Sequence, residues 1–431
     1  MYALIDGNNF YVSCERVFQP RFEGRPVIVL SNNDGCAISR SNEAKDIGVR
    51  MGAPWHEIRH LERTQGLVAL SANFALYGDM SERMMEVLAG FGARQEIYSI
   101  DECFIDLAGI QGDLAASAHA MRQRVLQWLG LPCSIGIGPT KTLAKFANHI
   151  AKTAERKPEP YAPRHARVCN LSALDRSELD ALLATTEVGV VWGVGWRLRE
   201  QLQEAGVCTA LDLARLDPVQ VQRRGSVVLE RTVRELLGQP CVDLEVGPQD
   251  RRHLAVTRSF GHKIGALSDL REAVTVFATR AAEKLRRQRS VVGQVYVYIR
   301  TGHYERSTPR SKGQSIELPC PTNDTARIVH AALSVLQDIY KPGYPYAKAG
   351  VVLMHLQREG LRQGELDLGE APAPRPRLVQ VLDQLNTRYG QDTVFLASAG
   401  LGGRARRWSM KQEHRTPRYT TRWDELLEVR L

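Results

Sequence analysis

No apolar run in this sequence approaches the length of a membrane span, and Asp6 stands where a secretory signal would need uninterrupted apolar residues. Both features exclude a spanning or exported reading, and a cytosolic protein is expected. The 8 cysteines are scattered from Cys14 to Cys320 with no close spacing, which excludes a disulfide framework and a cysteine-based zinc site, so reduced thiols are expected. No segment suggests a separate nuclease domain.

What is present fits a large soluble chain. Its 431 residues suffice for several domains and a substantial core, and 43% hydrophobic with 24% charged residues is ordinary globular usage. The net charge of +9 is unevenly placed: residues 1–250 carry −4 and residues 251–431 carry +13. A basic part beside an acidic, metal-binding part suits a nucleic-acid enzyme, in which one region grips phosphates and the other does chemistry. A solvated, arginine-rich surface explains the same charge equally well.

The organising stretch is Tyr98-Ser-Ile-Asp-Glu-Cys-Phe-Ile-Asp-Leu107, which sets Asp101 and Glu102 between two short apolar runs, 97–100 and 103–107, that read as buried strands. Two like charges so close repel unless a cation lies beside them. A solvated hairpin corner is the plainer reading. A second acid shifts the balance, because the apolar run Tyr2-Ala-Leu-Ile5 ends directly in Asp6-Gly7. Strand 2–6, helix 10–18, helices 74–88 and 114–129 around the acidic hairpin, and strand 133–137 suit an antiparallel α+β sandwich of the ferredoxin type. That topology brings Asp6 beside Asp101 and Glu102, and three hard oxygen ligands with a backbone carbonyl near Gly7 make a site for two magnesium ions.

The strings ALIDGNNFYVSCE, YSIDECFIDL, SIGIGPTKTLAKFANHIAK and VWGVGWRLREQLQEAGV, in this order, resemble the lesion-bypass (Y-family) DNA polymerases, and within them the UmuC branch, the catalytic subunit of bacterial DNA polymerase V and its plasmid-borne relatives. The resemblance implies an α+β multidomain protein. A ferredoxin-like palm (1–18 and 76–165) is followed by small fingers (19–75) and a helical thumb with a helix-hairpin-helix turn (166–247). A separate α+β little finger (248–356) and a C-terminal partner-binding tail (357–431) complete the chain. It implies error-prone, template-directed DNA synthesis across lesions in the SOS response, with Asp6, Asp101 and Glu102 as catalytic residues and with Gly7 as ligands of two Mg2+ ions. It further implies that Tyr11 excludes a ribose 2′-hydroxyl, with Phe10 beneath it, and that Lys152 meets the incoming triphosphate.

The sequence departs from the wider family on the fingers helix, where a tyrosine and an arginine are replaced by Asn42 and Lys45; Ser39 and Arg40 are the candidates to compensate. Helix 143–152 is expected to carry Lys141, Lys145 and Lys152 near its surface, followed by a linker, 153–166. Gly193-Val-Gly195 with the helix from Arg197 reads as a turn whose glycines and helix N-terminus approach DNA phosphates; a plain tight turn is the alternative. In 251–356, strands 255–259, 293–300, 315–318 and 349–356 with helices 270–289 and 326–339 form a second small sheet. Arg258, Arg286, Arg287, Arg289, Arg300 and Lys348 are its candidates to lie along duplex backbone.

The tail from Gln357 reads as loop-rich. Glu365-Leu-Asp-Leu-Gly369 resembles a degenerate sliding-clamp docking peptide, and the arginine- and aromatic-rich end resembles the region that meets a UmuD′-like subunit and a RecA filament. Primer-template DNA and dNTPs are the implied substrates. A non-catalytic DNA-binding scaffold and a nucleotidyl cyclase on the same sandwich are the rival readings; the acidic trio argues against the first, the glycine pair and basic second sheet against the second.

Overall fold

The apolar run at the amino terminus becomes the central strand of the main sheet, with Ala3, Leu4 and Ile5 fully buried. In the computed structural model of the chain, residues 1–157, 159–245, 247, 249–302, 309–360, 376–400 and 406–427 are described. The chain divides into two units, one of Met1–Ser31, Gly35–Pro248 and His414–Leu431, the other of Asn32–Asp34 and Gln249–Glu413.

In the first unit the chain runs β1 (Tyr2–Gly7), α1 (Phe10–Phe18), β2 (Val27–Leu30), β3 (Ala37–Arg40), α2 (Asn42–Asp46), β4 (Val68–Ser71), α3 (Phe74–Ala89), β5 (Gln95–Ile97), β6 (Glu102–Asp106), α4 (Leu114–Leu129), β7 (Cys133–Gly138), α5 (Lys141–Arg156) and β8 (Val168–Asn170), with several shorter helical turns between them. The main sheet has the order β5-β6-β1-β7-β8, and β1 is antiparallel to both β6 and β7. The first four of these strands have the split βαββαβ order of the ferredoxin type. Side chains alternate across a strand. Ala3 and Ile5 therefore enter the core shared with Val12, Cys14, Leu76, Met80 and Met84, while Leu4 and Phe104 face Ala144 of α5. A separate three-stranded sheet, β3-β2-β4, has its own small core of Ile28, Leu30, Ala37, Ala44 and Val49.

Later in this unit come α6 (Trp196–Glu204) and α7 (Val227–Leu236). α7 is locked to α5 through Glu235, whose carboxylate is fully buried and accepts from the Thr142 amide and hydroxyl and from the Cys241 and Val242 amides.

The second unit holds β9 (Leu254–Ile264), α8 (Leu267–Arg287), β10 (Ser290–Thr301), β11 (Ser311–Thr322), α9 (Thr325–Ile339), β12 (Tyr346–Arg358) and α10 (Pro376–Tyr389). Its antiparallel sheet has the order β11-β10-β12-β9, and Val295, Val297, Ile299, Val351 and Leu353 pack with Phe277, Ala281, Ile328 and Val335 of α8 and α9 in one core.

Three expectations change. The segment expected as a linker from Thr153 begins as helix, because α5 runs on to Arg156, carried by Ala154 on its buried face. The loop-rich tail contains α10, whose amphipathic spacing the prolines before it disguised. The first strand of the acidic hairpin stops at Ile97, so residues 98–101 form the turn. The clamp-like segment Glu365–Gly369 lies outside the described residues. No described helix is long and apolar enough to cross a membrane.

Candidate active site

Asp6 and Glu102 are direct partners across the β1–β6 ladder, at the end of both strands. The Gly7 amide donates to the Asp101 carbonyl at 2.8 Å, which fastens the end of β1 to the acidic turn. Ser99 shapes that turn: its hydroxyl accepts from the Asp101 and Glu102 amides at 3.2 and 3.0 Å and donates to the Asp101 carboxylate at 2.7 Å. Asp6 and Glu102 lie on the sheet face covered by α5, since they share the alternation of Leu4 and Phe104. Like charges directly opposite in an antiparallel pair destabilise the sheet, so this edge demands a counter-cation.

Two lysines of α5 supply it. The Lys152 ammonium is 2.5 Å from Asp6, and the Lys145 ammonium is 2.8 and 3.1 Å from the two Glu102 oxygens. Burial pushes the Asp6 carboxyl up to about 7, a rise that Lys152 opposes and that Glu102 and Asp101 reinforce. Among the described residues no three acidic, histidine or cysteine side chains form a ready cation cage. Asp6 and Glu102 are each turned to a lysine, and Asp101 to Ser99. The donors nevertheless suit a hard divalent cation: carboxylate oxygens at one sheet edge, charge in excess, and ammonium groups partly open to solvent that can swing away.

Close packing of α5 on β7 brings the lysines within reach. A Cβ at Gly136 would overlap the backbone of Ala144 and Asn148, and one at Gly138 would lie 2.7 Å from the Ala144 amide. The two glycines of the SIGIG run thus let the helix lie on the strand itself. Lys141, expected near the surface, is instead 2% exposed. Its ammonium is held by Glu96 at 2.6 and 2.9 Å and sits over the Phe104 ring, because the first turn of α5 is covered by segment 243–245.

Beside the carboxylates, Tyr11 is half-buried and stacks on Tyr77 at 4.5 Å between ring centroids and 15° between planes, with Phe74 edge-on to both. Phe10 is core at 3% exposure, pressed against Gly7, where a Cβ would come within 2.8 Å of its ring. It supports the turn and does not line the site.

The basic candidates gather on the fingers side. Lys45 donates to Asn9 at 2.6 Å and to Asn42 at 3.3 Å, and Asn9 also donates to Asn42 at 3.2 Å. Burial lowers the Lys45 ammonium to about 8, with Arg156, Arg40 and Lys152 repelling its charge further. Lys45 thus faces three further cations, of which Arg156 is also paired with Asp46 at 2.6 Å and Lys152 with Asp6. Ser39 is buried, its hydroxyl 3.4 Å from the Asn9 carbonyl, and Arg40 donates to the Val49 carbonyl at 2.8 Å. Arg156 was not singled out by the sequence, since it lay in the expected linker.

At the glycine turn, Gly193 has φ of +90°, a left-handed conformation that favours glycine, while Gly195 caps α6 with open space at its Cβ. The turn is entered from a three-residue 3-10 helix, 188–190, and Val194 is buried. Trp192 ties this turn to the acidic one, donating from its indole to the Tyr98 hydroxyl at 3.1 Å. Arg197 stacks over Trp196, which is 67% exposed.

In the second unit Arg258 is exposed on β9 and Arg300 half-buried on β10. Arg286 corrects its expectation as a backbone contact. Its guanidinium is paired bidentately with Asp383 of α10 at 2.6 and 2.7 Å and donates to Asn323 and Thr325, so it braces α8. Asp383 lay in a tail read as loop, so this partner was invisible in the sequence.

Comparison with known proteins shows the family and the fold. The family model described as impB/mucB/samB family matches residues 5–149, its C-terminal domain model residues 251–366, and a domain of unknown function residues 376–429. Protein ImpB of Salmonella typhimurium is 41% identical over 435 residues, and Protein UmuC of Salmonella typhimurium strain LT2 is 41% identical over 436, each match covering 100% of both chains. A DNA polymerase IV of Pelotomaculum thermopropionicum is 28% identical, covering 91% of this chain and 94% of its own. Among solved structures, a Y-family DNA polymerase chimera built on Dbh superposes with a TM-score of 0.62 at 16% identity, covering 83% of this chain and 99% of that one.

Proposed function

The chain belongs to the impB/mucB/samB family, the UmuC branch of the Y-family DNA polymerases, and from that premise we propose how its residues carry out the reaction. The enzyme is a DNA-directed DNA polymerase acting in translesion synthesis. The observation that carries the residue-level reading is the Asp6–Glu102 pair at one strand end, with Asp101 on the adjoining turn.

Asp6, Asp101, Glu102 and the Gly7 backbone would hold two Mg2+ ions. Such ions supply activation of a primer 3′-hydroxyl and neutralisation of the leaving pyrophosphate. The remaining work belongs to the chain itself. Lys152 and Lys145 keep the carboxylates neutralised and within the fold until a cation takes over that charge. Lys45, Arg40 and Arg156 draw the triphosphate to the fingers side of the site, with Asn42 and Ser39 as polar lining. Tyr11, backed by the Tyr77 ring, leaves no room for a 2′-hydroxyl and so rejects ribonucleotides sterically. Gly193, Gly195 and the start of α6, with Arg197, contact template-primer phosphates, as do Arg258 and Arg300 of the second unit. These contacts read no bases and weaken with salt.

A UmuD′-like subunit, a RecA filament and a sliding clamp are the proposed partners, and the cytosol the proposed place of action. Primer extension on a gapped duplex tests this function. Template-directed incorporation of dNTPs that crosses a lesion supports it; duplex binding with no incorporation points to a scaffold, and cyclic product from free nucleotide to a cyclase.

A further inference from the structure

Within the unit that holds the acidic strand end, residues 414–419 pair with β4, α3 and the end of α1. The Ser71 amide donates to the His414 carbonyl at 3.1 Å, and the His414 amide to the Ser71 hydroxyl at 2.9 Å. The Asn73 side-chain amide donates to the Thr416 hydroxyl and carbonyl and to the Pro417 carbonyl. The same side chain caps α3, accepting from the Leu76 amide. Tyr419 stacks on Phe18 at 4.8 Å and 8°, and its hydroxyl accepts from Gln19 at 2.7 Å.

The innermost link is Glu15. Fully buried on α1, it accepts at one oxygen from the Tyr77 hydroxyl at 2.7 Å and from the Thr416 hydroxyl at 3.1 Å. Its second oxygen has no hydrogen-bond partner among the described residues. Tyr77, itself 0% exposed, is the ring on which Tyr11 stacks. A continuous chain of contacts therefore runs from Thr416 through Glu15 and Tyr77 to Tyr11, across about 400 residues of sequence.

We infer that Glu15 and Thr416 are positioning residues for sugar discrimination: the C-terminal segment 414–419 fixes the Tyr77 ring, and through it the height of Tyr11 above the incoming sugar. The inference rests on the reading of Tyr11 as the sugar gate. A steric gate excludes an extra oxygen only while its backing holds the ring in place. Two donors on one carboxyl oxygen, walled in by Asn73, give the Tyr77 ring one position. Removing either partner leaves the ring packed but free to slide. Discrimination then falls while correct synthesis persists.

The test is the ratio of kcat/KM for a deoxyribonucleotide to that for the matching ribonucleotide, measured in single-nucleotide extension by the full chain. Tyr11→Ala probes the gate itself. Thr416→Val and Tyr77→Phe keep shape and remove one hydroxyl each; Glu15→Leu removes the acceptor, and Glu15→Gln restores an acceptor oxygen. The expected result is a loss of discrimination of roughly fivefold or more in Thr416→Val, Tyr77→Phe and Glu15→Leu, seen mainly as a lower KM for the ribonucleotide, with recovery in Glu15→Gln. If Tyr11→Ala destroys discrimination while Thr416→Val and Tyr77→Phe leave it at the wild-type value, the positioning role is wrong and the gate stands. If Tyr11→Ala leaves discrimination intact, the gate reading itself fails. Should Glu15→Leu not fold, the two hydroxyl deletions decide alone.

Discussion

The Lys152 ammonium lies 2.5 Å from Asp6, with Lys145 in the same relation to Glu102 on the facing strand. The two lysines do the work that like-charged partners across a ladder require. In the proposed reading Lys152 passes from carboxylate to triphosphate as the site fills. Replacing Lys152 with Met is expected to raise the KM for dNTP about tenfold or more, with a smaller change in kcat, as befits loss of ground-state binding. Steady-state single-nucleotide insertion measures both, and an unchanged KM would remove Lys152 from the nucleotide path.

Lys45 gives the reaction a pH signature. Burial and three neighbouring cations lower its ammonium to about 8, so it loses its charge as pH rises through that value. The KM for dNTP should therefore climb by up to about tenfold between pH 7 and pH 9. Lys45→Arg, which stays charged throughout, should flatten the climb. Parallel profiles in the two proteins would assign the pH dependence to another group.

Lys141 and Glu96 form a buried pair with no direct part in the chemistry proposed here. Removing only the cation strands a carboxylate in the core, so Lys141→Met is expected to cost about 3 to 5 kcal/mol, whereas the joint change with Glu96→Leu should recover most of it. Denaturant unfolding of the single and double variants checks this, and a single variant as stable as wild type would contradict it.

Stability should also depend on pH through Glu15. Burial pushes its carboxyl up to about 7 from the usual 4.5, opposed by the Tyr77 and Thr416 hydrogen bonds. The folded protein thus holds this proton more tightly than the unfolded chain. The contribution is complete below about pH 4.5, declines as pH rises to about 7, and is flat beyond, a difference on the order of 3 kcal/mol. Thermal melts of wild type and Glu15→Gln at pH 5 and pH 8 should diverge accordingly. An equal pH response in both would show that Glu15 does not titrate in that window.

The strand end that carries Asp6 was legible because the apolar run Tyr2 to Ile5 stops directly at that acid, whereas Glu102, read with Asp101 as part of the turn, is the first residue of β6. So was the length of α4, whose predicted bounds, Leu114 to Leu129, are those found. What stayed hidden depended on partners distant in sequence. Lys141 reads as a surface lysine until segment 243–245 covers it. Arg286 reads as a phosphate ligand until Asp383 arrives from α10. Glu15 did leave a trace, since it shares a helix face with Tyr11 and Phe18 at positions i+4 and i+7, where an acid stands among aromatics. Its partner Thr416 could not be inferred from local pattern at all.

The central claim is that the acids at this strand end hold the charge on which nucleotidyl transfer depends. Primer extension with saturating Mg2+, comparing wild type with Asp6→Asn, Asp101→Asn and Glu102→Gln, tests it most directly. Each substitution keeps the side chain's shape and one acceptor oxygen while removing one negative charge. The expected loss in kcat/KM is about 1,000-fold or more, with duplex binding retained. Extension within about tenfold of wild type in any of the three would contradict the assignment of that residue, and in all three would contradict the account.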